Sequence, residues 1–273
     1  MSGSLVCVGT GMLLGGHISP ISKSYIEQAD VVFSLMSTGI TERWLDEMHG
    51  DVRSLQYCYQ EGKNRNITYN EMVEAILTEV RAGKKVVAAF YGHPGVFACV
   101  SHRAIKKAKQ ENLSAHMEAG ISAEDCLYAD LSIDPGKTGC INYEASQFMF
   151  YQRNIDPAAH LILWQIGLAG DKSLAKFSTG RAYRQVLVDL LLETYPKDHQ
   201  VILYQAKVLP IDTMRAERIA LIDLIDAELF MHTTLVIPPS EEMQPNQTIL
   251  AKLAIIDKQE LRTKNRPELT LVL

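Results

Sequence analysis

The chain has 273 residues, of which 47% are hydrophobic and 22% are charged, and its formal net charge is -5. This composition excludes a disordered chain, and the acidic balance argues against a general electrostatic grip on nucleic acid. The sequence contains no apolar run long enough for a membrane helix and no signal-peptide pattern. We therefore expect a cytoplasmic protein with no membrane partner.

The first half of the chain alternates short apolar runs with helical patterns. The run over residues 5–8 predicts a buried strand that stops at Gly9, and apolar residues at helical spacing over 18–29 predict a helix after it. Further strands are predicted over 31–35 and 85–91. This alternation is typical of a doubly wound α/β unit.

Two further helices are predicted in this half. Thr68 and Glu71 have the spacing of a capping box, which predicts a helix that begins at Tyr69 and ends at Gly83. Apolar residues at helical spacing from Val96 onward predict a helix after the strand at 85–91.

The second half repeats the pattern. Strands are predicted over 160–166, 200–204 and 233–237, and a long helix over 181–194. Prolines from residue 238 to 245 break regular structure before a charged tail.

Two α/β domains explain this order of elements most economically. We place an N-terminal domain at residues 1–122 and a C-terminal domain at 123–240, followed by an extension over 241–273.

Two glycine turns follow predicted strands of the first half, at residues 9–11 and 92–95. The first turn lacks the third glycine of a dinucleotide fingerprint, because Leu14 stands at that position, and no P-loop motif exists. Open α/β sheets bind ligands at the carboxyl ends of their strands. The two turns therefore predict a ligand cleft at one edge of the sheet.

These turns resemble the tetrapyrrole-methylase superfamily of S-adenosylmethionine (SAM)-dependent methyltransferases. The matching segments are Val8-Gly9-Thr10-Gly11, Gly92-His93-Pro94 and Ala119-Gly120-Ile121-Ser122-Ala123. His93 stands where that family usually has an aspartate, and Met12-Leu13 replaces a Pro-Gly pair. These departures weaken the case for a corrin or porphyrin substrate.

A closer resemblance is to the borosin peptide α-N-methyltransferases, which methylate backbone amides of a ribosomal peptide. It covers the chain to about residue 239 and includes the segments 91–97, 144–148 and 163–166, together with Tyr59, Arg65 and Tyr69. The resemblance implies two α/β domains of the tetrapyrrole-methylase (class III) type with a SAM cleft between them.

Fused members of this family carry a helical clasp and an apolar core peptide at their own C-terminus. This sequence ends soon after the catalytic domains, so the resemblance implies the split type, which acts on a separate precursor peptide. It also implies a homodimer, or a heterotetramer with two substrate peptides. The apolar segment at 148–151 suits either a subunit interface or the face of a core helix.

The proposed chemistry requires a base, because resonance makes an amide nitrogen a poor nucleophile. We predict that Tyr69 accepts the amide proton and that Arg65 stabilises the developing negative charge, while Tyr59 and Tyr91 orient the amide carbonyl. A nearby cation favours the phenolate over the phenol. The alternative is that the tyrosines only pack and that Arg65 is a solvated loop charge.

SAM is the cofactor that the resemblance implies, with S-adenosylhomocysteine as its product. The residues assigned to its binding are Gly9, Gly11, Tyr91, Gly92, His93, Val96, Phe97, Ser122, Ala123, Gln165, Ile166 and Ala206. The two glycines of the first turn have a second interpretation, that they only let the turn pass close, and His93 has a second interpretation as a cap of its own turn. Five scattered cysteines and the spacing around His93 predict no metal site.

Two other functions remain open at this point. The same fold is compatible with methylation of a corrin carbon, another small molecule or RNA, although an RNA substrate would favour a more basic surface. The chain also fits a protein without catalytic activity that keeps the SAM fold as a binding module. Intact Arg65, Tyr69 and Tyr91 argue against this second possibility.

Overall fold

The structure, a computed structural model, describes residues 3–264. Of these, the residues up to Ser240 form one compact unit, and residues 241–264 belong to a second unit. The division of the larger unit near residue 122 stays a prediction. It separates the residues of two different five-stranded sheets.

The first sheet is parallel throughout, as its apolar strand sequences predict, with the strand order β3-β2-β4-β1-β5. Its strands are β1 Ser4–Gly9, β2 Val31–Leu35, β3 Val52–Ser54, β4 Lys85–Phe90 and β5 Ser114–Met117. Gly9 pairs with Phe90, so the turns after β1 and β4 start side by side at the carboxyl edge.

Four helices cover this sheet, in separate apolar clusters on its two faces. They are α1 Pro20–Glu27, α2 Gly39–Asp46, α3 Arg65–Arg81 and α4 Cys99–Gln110. The doubly wound arrangement predicted for the first half is confirmed.

The second sheet has the order β6-β7-β10-β8-β9 and is mixed, with only β6 and β7 parallel. Its strands are β6 Cys140–Glu144, β7 His160–Trp164, β8 Gln200–Gln205, β9 Arg215–Ala220 and β10 Thr234–Ile237. Its helices are α5 Ala123–Leu131, α6 Pro135–Thr138, α7 Ala145–Phe150 and α8 Arg181–Leu192. The α/β class is confirmed, although the sequence patterns missed β6 and β9.

The capping box predicted at Thr68 and Glu71 is wrong. The helix α3 begins four residues earlier, because the side chain of Asn64 accepts a hydrogen bond from the Asn66 amide at 2.9 Å. Thr68 lies within the helix rather than at its start, and it is buried, with 1% of its surface exposed. Tyr69 therefore lies in the second turn of α3 rather than at its first position.

Other predicted boundaries also differ from the structure, and the structure separates the residues of the segment 148–151. The helix expected from Val96 begins at Cys99, because Phe97 has a left-handed backbone with φ of 50° that interrupts helical geometry. The strand expected to reach Ile166 ends at Trp164, because Gln165 has φ of 59°. Within the segment 148–151, Phe148 belongs to the second core whereas the ring of Tyr151 is exposed.

The second unit contains the helix α9 Gln247–Lys264, where the sequence suggested only a charged tail. The proline segment before it has no helix or strand, as predicted. No helix within residues 3–264 is both long and apolar enough to cross a membrane.

The cap of α3 gives a stability test. Asn64→Ala removes the acceptor for the Asn66 amide and the donor to the Ser173 carbonyl. We expect the loss of the cap alone to lower the free energy of unfolding by about 1 kcal/mol, and the loss of the second hydrogen bond to add to it. Glu71→Ala, the matched control, removes only an exposed partner of Lys63 and should change stability by less than about 0.5 kcal/mol. Denaturant unfolding measures the stability of both variants. A larger loss in the Glu71 variant would support the capping box of Thr68 and Glu71 instead.

Candidate functional site

Three turns at the carboxyl edge of the first sheet touch backbone to backbone. A β-carbon on Gly9 would lie 2.4 Å from the Gly92 carbonyl oxygen and 2.9 Å from the Gly120 Cα. A β-carbon on Gly120 would lie 2.5 Å from the same oxygen. Only glycine fits at Gly9 and Gly120 without displacing a neighbouring backbone.

The turns after β1 and β4 are also hydrogen-bonded to each other. The Gly92 amide donates to the Gly11 carbonyl at 2.9 Å, and the Gly11 amide donates back to the Gly92 carbonyl at 3.2 Å. Both glycines have positive φ, 74° and 68°, and both are buried. The close approach at Gly9 and the hydrogen bonds between Gly11 and Gly92 therefore fix the shape of the two turns.

The turn after β5 leads into α5 with a capping box. Ser122 accepts a hydrogen bond from the Asp125 amide, and the Asp125 carboxylate accepts from the Ser122 amide at 2.7 Å. Ile121 and Ser122 border Gly92, whose β-carbon position lies 3.9 Å from the Ser122 Cα. The structure thus places Ser122 against Gly92, while Ala123, the first residue of α5, packs on the cluster that contains Trp164.

His93 caps its own turn. Its Nδ1 accepts a hydrogen bond from the Gly95 amide at 2.9 Å, and the Gly95 carbonyl in turn contacts His102 Nε2 at 2.9 Å. This hydrogen bond supports the interpretation of His93 as a cap of its own turn, and a contact of His93 with SAM stays a prediction. No group of three or more His, Cys, Asp or Glu side chains suited to a metal ion occurs in the part of the chain that the structure describes.

The four residues predicted to be catalytic lie together beside these turns. The rings of Tyr59 and Tyr69 meet edge to face, with centroids 6.4 Å apart. Both are half-buried against the first core, and both lie within electrostatic reach of Arg65 and Tyr91. Tyr91 directly precedes Gly92 and is 46% exposed, so the cluster extends to the surface.

Burial and the arginine charge act on the tyrosines in opposite directions. Removal from water raises the pKa of Tyr69, while the Arg65 guanidinium lowers it, and the net shift is upward. The pKa of Tyr59 is raised as well, mainly by burial. The sequence argument that a cation would favour the phenolate is correct in sign, but desolvation outweighs it.

Arg65 is held by the second half of the unit. Its amide donates to the Leu174 carbonyl at 2.9 Å, and its guanidinium Nη2 donates to the Lys176 carbonyl. The alternative of a freely solvated loop charge is therefore wrong: Arg65 opens α3 and is fastened to residues 171–176.

A second contact across the halves involves Phe97. Its ring is 48% exposed and lies with its centroid 5.4 Å from that of Trp164. Trp164 Nε1 donates to the Asn142 side chain at 2.9 Å, and Asn142 donates to Glu124 at 2.9 Å. This chain of contacts fixes Trp164 beneath an aromatic ring that stands on a strained backbone.

The remaining residues that the sequence assigns to SAM binding differ in how close the structure brings them to the site. Gln165 follows Trp164 directly, and Ala206 packs on the cluster that contains Trp164. Ile166 is fully buried in the second core and its amide donates to the Thr233 carbonyl, so the structure does not bring its side chain to the site. Val96 is half-buried in the turn between His93 and Phe97. We call the meeting region of residues 59–69, 91–97, 120–123 and 164–176 the seam.

Sequence reasoning missed Trp164 and Asp171 of the seam, and also Asn142, which lies outside the seam and accepts a hydrogen bond from Trp164. Trp164 belongs to a quoted segment but was not assigned to the site, and Asn142 carried no signal at all. Asp171 was also missed, although the spacing Asp171-x-Ser173 is a common turn pattern that would have marked a built loop.

The sequence and the fold of the chain both match those of known proteins. The family model for Tetrapyrrole (Corrin/Porphyrin) Methylases matches residues 4–220. A cobalt precorrin-4 methyltransferase of cobalamin biosynthesis superposes with a TM-score of 0.63 at 15% identity, over 86% of this chain and 94% of that one. A uroporphyrin-III-C-methyltransferase from Thermus thermophilus gives 0.60 at 17% identity, over 88% and 93%. At these identities the likeness shows the fold, which confirms the predicted architecture.

Curated relatives are more similar in sequence. A methyltransferase/ribosomally synthesized cyclic peptide gymnopeptides precursor from Gymnopus fusipes is 39% identical over 96% of this chain and 64% of the relative. The corresponding omphalotin A precursor from Omphalotus olearius is 38% identical over 93% and 62%. The chain thus spans slightly less than two thirds of the length of these two relatives.

The packing of the turns gives a second test. Gly120→Ala places a β-carbon 2.5 Å from the Gly92 oxygen, so we expect a loss of about 1–3 kcal/mol of stability. Gly39→Ala is the matched control, because nothing lies within 4 Å of its β-carbon position. Thermal unfolding compares the two, and equal stability of both variants would contradict the proposed close approach.

Proposed function

The chain belongs to the tetrapyrrole (corrin/porphyrin) methylase family, and we propose that it is a SAM-dependent methyltransferase that methylates backbone amides of a ribosomally made peptide. The observation that carries this proposal is the cluster of Tyr59, Arg65, Tyr69 and Tyr91 beside the glycine turns. The cluster offers a candidate base and a fixed positive charge, which methylation of an amide nitrogen requires. The relatives from Gymnopus fusipes and Omphalotus olearius, which are named as methyltransferase and cyclic peptide precursor, support a peptide as the acceptor.

The residues at the turns fit the cofactor. Gly9, Gly11 and Gly92 bring the ends of two strands together without side chains, and Gly120 adds the segment after β5. The exposed aromatic residues Tyr91 and Phe97 offer apolar surface for an adenine or a methionine tail. SAM supplies a methyl group on a positively charged sulfur. Ser122, Ala123, Gln165 and Ala206 complete the proposed binding set, with His93 and Val96 shaping the turn.

In this proposal the chain's own residues prepare the amide. The phenolate of Tyr69 accepts the N–H proton, and the negative charge that develops on the amide oxygen is stabilised by Arg65. Tyr59 and Tyr91 orient that oxygen by donating hydrogen bonds. Because burial raises the pKa of Tyr69, Arg65 is needed to keep its phenolate accessible.

The peptide can be supplied as a separate chain, because every residue proposed for the site lies between Gly9 and Ala206. The relatives are described as methyltransferase and precursor together, so a peptide joined to the enzyme is the other arrangement. The homodimer, and the heterotetramer with two peptides, stay predictions, which light scattering of the purified chain with and without a peptide checks.

A tetrapyrrole acceptor is the second candidate, favoured by the likeness of the fold to two corrin and porphyrin methyltransferases. The identities of 15% and 17% carry the fold alone. Transfer of labelled methyl to a tetrapyrrole and to no peptide would support this candidate.

Substitutions in the cluster test the proposed roles. Tyr69→Phe removes the base and should lower single-turnover methylation of a peptide by about 100-fold or more. Arg65→Lys keeps the charge but loses the forked geometry, so an intermediate loss is expected. Tyr57→Phe is the control, since Tyr57 lies in the same segment and is 74% exposed. Unchanged transfer by the Tyr69 variant would remove this tyrosine as the base.

The pH profile gives an independent test. The pKa of Tyr69 lies above its ordinary value, so the phenol is protonated at neutral pH and the chemical step should accelerate about tenfold per pH unit below that pKa. Removal of Arg65 raises this pKa further and shifts the profile to higher pH. Single-turnover rates from neutral to alkaline pH measure this dependence, and a plateau below about pH 8 would contradict the assignment.

A further inference from the structure

The loop at residues 171–176 is built around one buried carboxylate. Asp171 is 3% exposed. Its Oδ1 accepts hydrogen bonds from the amide of Ser173 at 3.0 Å and from the Ser173 hydroxyl at 2.5 Å. Its Oδ2 accepts from the amides of Ala175 and Lys176, both at 3.0 Å. These hydrogen bonds hold the pKa of Asp171 below its ordinary value, despite burial, so the group stays ionised.

The same loop presents four consecutive carbonyl groups to the segment before α3. The Ser173 carbonyl accepts from the Asn64 side chain at 2.8 Å, and the Ala175 carbonyl accepts from the Gly62 amide at 3.1 Å. The two other carbonyls, of Leu174 and Lys176, hold the amide and the guanidinium of Arg65. Three of the loop's amides thus donate to Asp171, while its carbonyls accept from Gly62, Asn64 and Arg65.

The backbone of this loop is unusual in one further respect. Leu174, whose carbonyl accepts from the Arg65 amide, has φ of 54°. A branched side chain rarely adopts this left-handed conformation, which persists only where the surroundings impose it. The Lys176 side chain supplies one anchor, because its Nζ donates to the Tyr183 hydroxyl at 2.7 Å.

From this arrangement we infer that Asp171 is a positioning residue for Arg65: its carboxylate shapes a cradle of four carbonyls that holds residues 62–65. One of the four, the Lys176 carbonyl, fixes the guanidinium beside Tyr59 and Tyr69. The inference rests on the proposed function. It extends that function to a residue of the second half that does not itself contact Arg65, Tyr59 or Tyr69. An arginine on an unrestrained loop would lose side-chain and backbone freedom at each turnover, whereas a cradled arginine is held in place beforehand.

Asp171→Asn tests the cradle. The amide offers one acceptor oxygen in place of two, so either the Ser173 pair of donors or the Ala175–Lys176 pair faces an NH2 group. We expect kcat for peptide methylation to fall by about 10- to 100-fold, with KM for SAM unchanged within about twofold. Asp134→Asn makes the same chemical change at the cap of α6 and should leave both values unchanged.

A double-mutant cycle separates positioning from general damage. If Asp171 acts through Arg65, the loss caused by Asp171→Asn should disappear in an Arg65→Ala background. Equal losses in both backgrounds would overturn the inference. Ser173→Ala removes only the hydroxyl donor, so it carries the same cycle with a smaller expected loss if the Asp171 variant does not fold.

Amide hydrogen exchange supplies a readout that does not depend on peptide methylation. The amides of Gly62 and Arg65 are bonded to loop carbonyls, so Asp171→Asn should accelerate their exchange while Asp134→Asn does not. Unchanged exchange would overturn the inference whatever the substrate is. Accelerated exchange without any peptide methylation by the unaltered protein would instead uphold the cradle and reject the proposed function.

Discussion

The site depends on one close approach, the contact of three turns through glycines at the carboxyl edge of the first sheet. Gly9 and Gly120 leave no room for a β-carbon, because each lies against the Gly92 carbonyl at the ends of β1, β4 and the segment after β5. Tyr91 directly precedes Gly92 in this contact, and Ser122, which borders Gly92, is the N-cap of α5. A protein interior transmits such a constraint because its packing leaves few voids.

The chemistry proposed for the seam depends on a balance between burial and charge. Tyr59 and Tyr69 sit half-buried against the first core, which raises both pKa values, and Arg65 counteracts the rise. That cation belongs to the first half in sequence, but the second half holds its guanidinium. A fixed positive charge near a partly desolvated phenol stabilises the phenolate more than the same charge on a mobile surface side chain does.

The sequence predicts much of this arrangement but not all of it. Apolar runs that end in glycine identify β1 and β4, because a strand buried on both faces leaves few other compositions. The start of α3 was misplaced because Asn64 and Thr68 both suit a cap, and burial of Thr68 decides between them. The left-handed residues Phe97 and Leu174 are invisible in sequence, since their conformations are imposed by tertiary contacts. The order of the second sheet was likewise out of reach, because β10 pairs with β7 and β8 across long stretches of chain.

The central claim is that the tyrosine and arginine cluster directs a methyl group to a backbone amide. The most direct test is to co-express the chain with the small open reading frames beside its gene and to fragment each recovered peptide by tandem mass spectrometry. The account predicts methyl increments on backbone nitrogens of one peptide, absent with Tyr69→Phe. Methyl groups confined to side chains, or no methylated peptide while the purified protein still binds SAM, would contradict it.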